Sequence, residues 1–490
     1  MLEHIVPVLS TIFSLENIVF LLLGALLGMI FGLLPGLGGA QALALLIPIS
    51  IGFDMIPAIL LMVGAMGSAT TAGSITSILL NTPGTPGSTS TTFDGYPLTQ
   101  KGKAGMAIGA AASSSLLGGI VGLVVLIAIL PFGKYIVLAF SFPEYFMLGV
   151  LSLSVISMIT EGTMWKGLIS ALFGLMVASI GYDPVTGDLR YTFDIIHLYD
   201  GISLVSVVVG LFAITEILEL MSKKNVKKVE SKESIKGIGE GILSVFKNFG
   251  LFFRCSIIGT IIGILPGVGG SVANFLAYGH AVQTSKNPEN FGKGDIRGVI
   301  APEASNNAKD SGSFVPTLIF GIPGSVDTAV LLGALIIHGV QPGPLLMSKS
   351  PDIIVLLIIT LLLANVLMCS ITVLLAHPLS KIATINKSII LPIIGVFALL
   401  GTYVFNGRVI DVWLALLFGL IGFIMKRADF SRVSFVIAFV LSDLIQQNFH
   451  LTLRSFGLEG FVARPISLTL FLLTLILLAA PYLKNKWRRG

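Results

Sequence analysis

Residues 28–39 read GMIFGLLPGLGG, and residues 259–270 read GTIIGILPGVGG. One register superposes Gly28 on Gly259, Gly32 on Gly263, Pro35 on Pro266, Gly36 on Gly267, and Gly38-Gly39 on Gly269-Gly270. A second Pro-Gly element follows each copy: LLNTPGTPGS (79–88) in the first half and IFGIPGSVD (319–327) in the second. Both pairs interrupt apolar sequence that otherwise reads as helix. Close helix packing accounts for isolated small residues such as Gly24, Gly28 and Gly32. It accounts poorly for a repeated Leu-Pro-Gly-x-Gly-Gly, because proline opens the hydrogen-bond ladder. Paired interruptions at matching places in two halves of a membrane protein point to a transport site.

Composition sets the class. Hydrophobic residues make up 54% and charged residues 11% of the 490, against about 25% charged in soluble domains. Mean hydropathy is +0.95. The expected fold is an all-α polytopic membrane protein with roughly ten to twelve transmembrane segments, some broken or re-entrant. Residues 1–221 form a first membrane repeat and 222–248 a charged link. Residues 249–490 form a second repeat with C-terminal helices and a basic tail. The net charge of +5 sits in loops and tails, so it is not a nucleic-acid signal. Lys/Arg excess marks cytoplasmic loops, which places the link and the C-terminal KNKWRR (484–489) there. The N-terminus, MLEHIVPVLST, lacks a basic n-region and reads as a retained helix rather than a signal peptide. Cys255 and Cys369 lie in apolar segments as packing residues, with no disulfide expected.

The stretch GSATTAGSITSILLNTPGTPGSTSTTFDGYP (67–97) has no charge before Asp94. It reads as two half-helices meeting at Asn81–Ser88 inside the membrane, where irregular backbone needs protein or a water cavity around it. In the second half, Ser74–Thr85 aligns with Ser313–Ser325 with one gap. A half-helix that starts inside the membrane offers unpaired N–H groups and a positive dipole end, which suits an anion. Candidate substrate contacts are therefore Asn81, Thr82, Pro83, Gly84, Thr85, Gly87 and Ser88, facing Gly321, Pro323, Gly324 and Ser325. Two such tips suit a substrate with carboxylates at both ends.

The Leu-Pro-Gly turns free carbonyl oxygens, and with Asn side chains these suit Na⁺. Candidate cation or coupling residues are Pro35, Gly36, Gly38, Pro266, Gly267, Gly269, Asn274, Asn306 and Asn307. Ionisable groups at membrane depth are functional candidates. Asp327 is the sharpest of these, for cation coupling or proton exchange. Glu303 and the Lys309–Asp310 pair have an alternative reading as vestibule residues pairing in water. His280 and His338 read as packing or loop residues. No Walker loop, HExxH or metal-ligand spacing occurs, so no enzyme activity and no cofactor are expected.

At these motifs the chain resembles a known family, the large membrane subunit (TctA type) of the tripartite tricarboxylate transporters. The match is carried by LPGLGG (34–39), GSITSILLNTPG (73–84), DGYPLTQKGKAG (94–105), YDPVTG (182–187), GTIIGILPGVGG (259–270), FGKGDIRGVIAPEASNNA (291–308), GIPGS (321–325), LLGALIIHGVQPGPLL (331–346) and RPISL (464–468). The resemblance implies a secondary importer of organic carboxylates in the prokaryotic cytoplasmic membrane. It implies inverted repeats and an elevator-like motion driven by a cation gradient, Na⁺ or alternatively H⁺. It also implies a small membrane subunit and a periplasmic solute-binding protein as partners. A standalone carrier and a passive anion channel are the competing readings.

Overall fold

The computed structural model describes residues 2–34, 37–159, 164–183, 185–222, 236–266, 269–375, 378, 395–396, 399–400, 402–404 and 406–487. Pro35, Gly36, Gly267, residues 223–235 of the charged link and most of the apolar stretch 388–405 lie outside these. The described chain is helical, with one two-stranded hairpin pairing Gly181–Tyr182 with Leu189–Arg190.

The first half runs α1 (Ile5–Ile12), α2 (Leu15–Leu33), α3 (Gly39–Ser50), α4 (Met55–Leu80), α5 (Thr92–Gln100), α6 (Ala104–Ala139), α7 (Phe142–Ile159) and α8 (Met164–Ala178). A further apolar run follows as α9 (Leu204–Val208), a π-helical turn (Val209–Ile214) and α10 (Thr215–Ser222). The second half runs α11 (Ile238–Lys247), α12 (Phe249–Ile264), α13 (Gly269–Thr284), α14 (Arg297–Phe320), α15 (Val326–Ile337), α16 (Pro344–Lys349) and α17 (Pro351–Leu374). Longer helices at Val409–Arg427, Arg432–Phe456 and Pro465–Trp487 close the described chain. Among the described residues, five helices are long and apolar enough to span a membrane, or six if the bent pair α11–α12 counts as one. The remaining apolar helices are shorter, as broken and re-entrant segments are.

The same breaks recur because the same local chemistry recurs. Leu34 and Leu265 each precede a proline, and each leaves the helical region, at ψ 110 and ψ 115. Proline's ring crowds the preceding residue out of the α conformation. The helices before the second Pro-Gly elements both end on a left-handed residue, Asn81 at φ 53 and Gly321 at φ 71. The next residue then donates six positions back: Thr82 N–H to the Thr76 carbonyl at 3.4 Å, and Ile322 N–H to the Pro316 carbonyl at 3.2 Å. This conformation is a common way to stop a helix.

Helices α4 and α14 form the centre. In α4 every residue from Pro57 to Leu79 is buried. In α14 burial is just as complete from Gly298 to Ile319, although that helix carries Glu303, Asn306, Asn307, Lys309 and Asp310. Its 24 residues extend about 36 Å at 1.5 Å each. Glycines seat the neighbours: an added Cβ at Gly24, Gly28 or Gly32 on α2 would meet α4 carbonyl oxygens at 2.1–2.3 Å. On α12, Gly259 and Gly263 meet the Ser305 and Lys309 carbonyls of α14 in the same way.

Several boundaries differ from the sequence reading. Residues 67–80, read as the first of two half-helices, continue the long helix α4 from Met55, which a turn at 51–54 separates from α3. Helix α6 passes through Pro131 to Ala139 without a break. The C-terminal helices attach through ion pairs such as Lys426–Glu216 at 3.0 Å and Arg464–Glu144 at 2.5 Å.

Candidate functional site

Both second Pro-Gly elements are re-entrant loops that fold back along their own helix. In loop 1, Gly84 N–H donates to the Gly73 carbonyl at 3.2 Å, and Ser77 donates to the Ser88 carbonyl at 2.9 Å. In loop 2, Gly324 N–H donates to Thr317 Oγ1 at 3.3 Å, and an added Cβ at Gly324 would meet Ser313 Cα at 2.7 Å. Each loop then carries a capping box, Thr85 with Ser88 and Ser325 with Thr328. The loops therefore match without a gap, Asn81 to Gly321 and Thr85 to Ser325. This corrects the one-gap register read from sequence. It also corrects the expectation of free donors. The N–H groups of Thr82, Gly84, Thr85, Gly324 and Ser325 are each bonded within their own half.

The halves cross at these loops. The first turn of α3 lies between them: an added Cβ at Gly38 would sit 3.6 Å from the Thr85 methyl, and one at Gly39 would sit 2.8 Å from Asp327 Oδ1. The Ala40 N–H faces the same carboxylate. At the start of α13, an added Cβ at Gly270 would sit 3.2 Å from Lys309 Nζ. Asn274 donates to the Gly87 carbonyl of loop 1 at 2.7 Å. Thus the helix that follows each break meets the re-entrant loop of the other half, with Lys309 between them.

Lys309 forms a buried ion pair with Asp310 and also faces Asp327. Lys309 is 4% exposed and Asp310 1%, so this pair does not sit in an aqueous vestibule. Glu303 does not join it. Its carboxylate is fully buried and accepts from Thr91 at 2.5 Å and Ser115 at 2.9 Å, tying α14 to the start of α5 and to α6.

The structure gathers Gly38, Thr85, Gly87, Asn274, Asn306 and Asp327 from the sequence candidates. It separates others. Asn81 and Thr82 are exposed on the outer side of loop 1. Asn307 turns away from its neighbour, donating to Thr71 at 2.9 Å and Asn365 at 2.8 Å. Asn365 was missed, although a lone amide in the apolar α17 is a signal of its own. His338 is hydrogen-bonded to Ser50 at 2.9 Å. Both cysteines are free.

The family described as "Tripartite tricarboxylate transporter TctA family" matches residues 18–437. The chain belongs to this tripartite tricarboxylate transporter family. An uncharacterized 52.8 kDa protein in the TAR-I ttuC' 3' region of Agrobacterium vitis is 33% identical over 477 residues, covering 96% of this chain and 94% of that protein. A second uncharacterized protein, in the TAR-II ttuC' 3' region of the same organism, is 31% identical over 233 residues, or 46% of this chain and 96% of its own length. No solved structure matches.

Two strings carrying the TctA resemblance meet in space. Asp94 of DGYP accepts from the N–H groups of Gly294 and Asp295, in FGKGD, at 2.7 and 2.8 Å, and from the Tyr278 hydroxyl at 2.9 Å. Asp94→Ala would orphan these donors. The expected cost is about 1–3 kcal/mol for each group left buried and unpaired, read as a fall in the thermal midpoint of the purified protein. Asp183 belongs to the YDPVTG string. There the Val185 N–H, at 2.7 Å, is the main cause holding the Asp183 carboxyl below its ordinary pKa, with Arg190 at 3.1 Å adding to it.

Proposed function

We propose that this chain is the large membrane component of a secondary importer for small organic carboxylates, coupled to a cation gradient. The observation that carries the reading is the crossed contact: Gly39 against Asp327, and Asn274 on Gly87. Sites at the interface of two repeats, built from broken helices, are how many secondary transporters bind substrate and ion.

An inverted relation between the halves is supported by where their loops end. His338, just after α15, meets Ser50 at the end of α3. Lys101, just after α5, instead donates to the Lys293 carbonyl beyond α13. Each re-entrant helix thus exits beside the hairpin mouth of the other half, and α4 holds the two exits apart. Gly105 packs on Lys236 at the end of the Lys-rich link, and the positive-inside rule then favours a cytoplasmic Lys101 side.

Charge supports cation coupling. One lysine, Lys309, faces two carboxylates, Asp310 and Asp327, leaving one negative charge. The carbonyl oxygens of the Asn274 and Asn306 amides, without hydrogen-bond partners, are hard ligands for Na⁺. Proton coupling is the second reading, favoured by Asp327 alone, a partly exposed carboxylate at the crossing. The small membrane subunit and the solute-binding protein are the partners the family name calls for.

Uptake of labelled carboxylates into proteoliposomes tests both readings. Accumulation that collapses without a Na⁺ gradient supports Na⁺ symport. Accumulation driven by a pH gradient alone moves the coupling to Asp327. Saturable flux distinguishes a carrier from a passive channel, and non-saturating flux would sink the carrier reading.

A further inference from the structure

Glu303 is unlike the other fully buried carboxylates of the described residues. Glu144 pairs with Arg464, Asp411 with Arg408 and Asp310 with Lys309, while Asp94 accepts from two backbone N–H groups. The hydrogen-bond neighbours of Glu303 are all neutral side chains. Thr91 donates to one carboxylate oxygen at 2.5 Å and Ser115 to the other at 2.9 Å, and Ser74 and Asn306 also face the group. An ionised carboxylate taken out of water without a cation is costly, and at membrane depth such a group marks function.

The charges on the surrounding helices are engaged elsewhere. Helix α4 carries none, and α6 carries Lys134, about five turns beyond Ser115. Asp94 of α5 is held by Gly294, Asp295 and Tyr278 of α13. On α14 itself, Arg297 pairs with Asp295, and Lys309 pairs with Asp310, about two turns beyond Glu303. Asp327 faces Lys309. Arg254 of α12 is exposed and donates to the Gly250 carbonyl, with His280 of α13 in its field, and Lys349 of α16 is exposed.

The surroundings of Glu303 suit two states of the group. Ionised, it accepts from Thr91 and Ser115. Protonated, one oxygen becomes an O–H donor and needs an acceptor. Ser74 and Asn306 are each 1% exposed, and Ser74 Oγ and Asn306 Oδ1 have no hydrogen-bond partner. A buried polar atom left unpaired costs free energy, so Ser74 Oγ is an acceptor already in place for that O–H. A proton also needs no cavity, whereas a metal ion would have to part hydroxyls that lie 2.5 and 2.9 Å from the carboxylate. Thr91 directly precedes α5, the helix that follows loop 1. The charge on Glu303 therefore sets how firmly that re-entrant segment is held to α14.

Resting on the cation-coupled carrier reading, we propose that Glu303 is a proton-binding site, so that uptake is coupled to H⁺ in addition to the cation drawn by the Lys309 cluster. A proton from water forms the O–H bond on one carboxylate oxygen, and it returns to water when that bond breaks on the other side of the membrane.

The test is an infrared pH titration of the purified full-length chain in lipid, which reads the carbonyl stretch of a protonated carboxyl directly. A band should appear as the pH is lowered between about 9 and about 5. It should vanish in the near-isosteric Glu303→Gln and persist in Asp327→Asn. Ser74→Ala, which keeps the glutamate but removes its acceptor, should move the band and serves if the glutamine variant does not fold. A spectrum unchanged by Glu303→Gln, or with that variant unfolded a band unmoved by Ser74→Ala, would overturn the proposal. So would a Glu303 band present at every pH, which belongs to a permanently neutral structural residue. Proteoliposomes at a fixed Na⁺ gradient and membrane potential read the coupling, with labelled citrate and succinate as probes. Each pH unit of gradient, acid outside, should raise the accumulation limit of the wild type by up to about tenfold for one coupled proton, and that of Glu303→Gln not at all. A pH response that survives in Glu303→Gln would also overturn the proposal. Failure of the wild type to accumulate either acid would count against the carrier reading instead, and the infrared titration still decides whether Glu303 binds the proton.

Discussion

Lys309→Met is expected to be among the most destabilising single substitutions in this chain. The lysine is buried in the middle of α14, ion-paired with Asp310 and facing Asp327. Methionine fills a similar volume but leaves both carboxylates without their cation. Removing one partner from a buried ion pair typically costs about 3–5 kcal/mol, because the remaining charge stays desolvated. Replacing all the charges together is far milder, since an apolar or neutral polar cluster carries no such debt. The triple variant Lys309→Met, Asp310→Asn, Asp327→Asn should therefore recover much of the lost stability. Thermal unfolding of the three proteins in detergent reads this directly. A single variant with an unchanged midpoint would mean that water, rather than Lys309, compensates the two carboxylates.

Gly84→Ala should have the second largest effect, and it should fall on ligand binding more than on folding. An added Cβ at Gly84 would meet the Gly32 carbonyl oxygen at 2.1 Å and Gly73 Cα at 2.6 Å. Both are backbone atoms of packed helices, so neither can rotate away. Loop 1 must lift, breaking the bond from Gly84 N–H to the Gly73 carbonyl and displacing Thr85 and Gly87. Overpacking of this kind costs about 1–3 kcal/mol. A binding constellation tolerates only about 0.5 Å of displacement, so ligand affinity should fall about tenfold or more. Gly239→Ala is the control. Nothing lies within 4 Å of its added Cβ, and a helical Gly-to-Ala change there should be neutral or slightly stabilising. Equal behaviour of the two variants in a thermal-shift titration would remove loop 1 from the site.

Much of this architecture is readable in the chain, and particular residues explain what is not. The breaks at Leu34 and Leu265, and the loops beyond Asn81 and Gly321, come from proline sterics and left-handed caps acting over a few residues. Helix α14 is harder to read. Its sequence is too polar to score as a span, yet it is completely buried, because Glu303, Asn307 and Ser311 find partners on α4, α6, α17 and the start of α5. The register between the loops was read with a gap because Ser74 and Ser313 look alike. In space it is Gly73 and Ser313 that face Gly84 and Gly324. Adjacent Asn306 and Asn307 look like one pair, but successive residues on a helix point about 100° apart. One therefore faces loop 1, and the other faces Thr71 and Asn365.

Composition and local backbone preference were enough to read the membrane class, the family, the Leu-Pro-Gly breaks and the two sets of interruptions that form the candidate site. These depend on composition and on backbone preferences that neighbouring residues impose locally. Long-range packing alone sets that the helix after each break meets the loop of the opposite half, that the loop N–H groups are mostly consumed by their own capping bonds, and that Lys309 balances Asp310 beside Asp327. A buried charge or amide is satisfied by whatever distant helix is brought against it, and that partner is set by packing across hundreds of residues, which no local preference encodes.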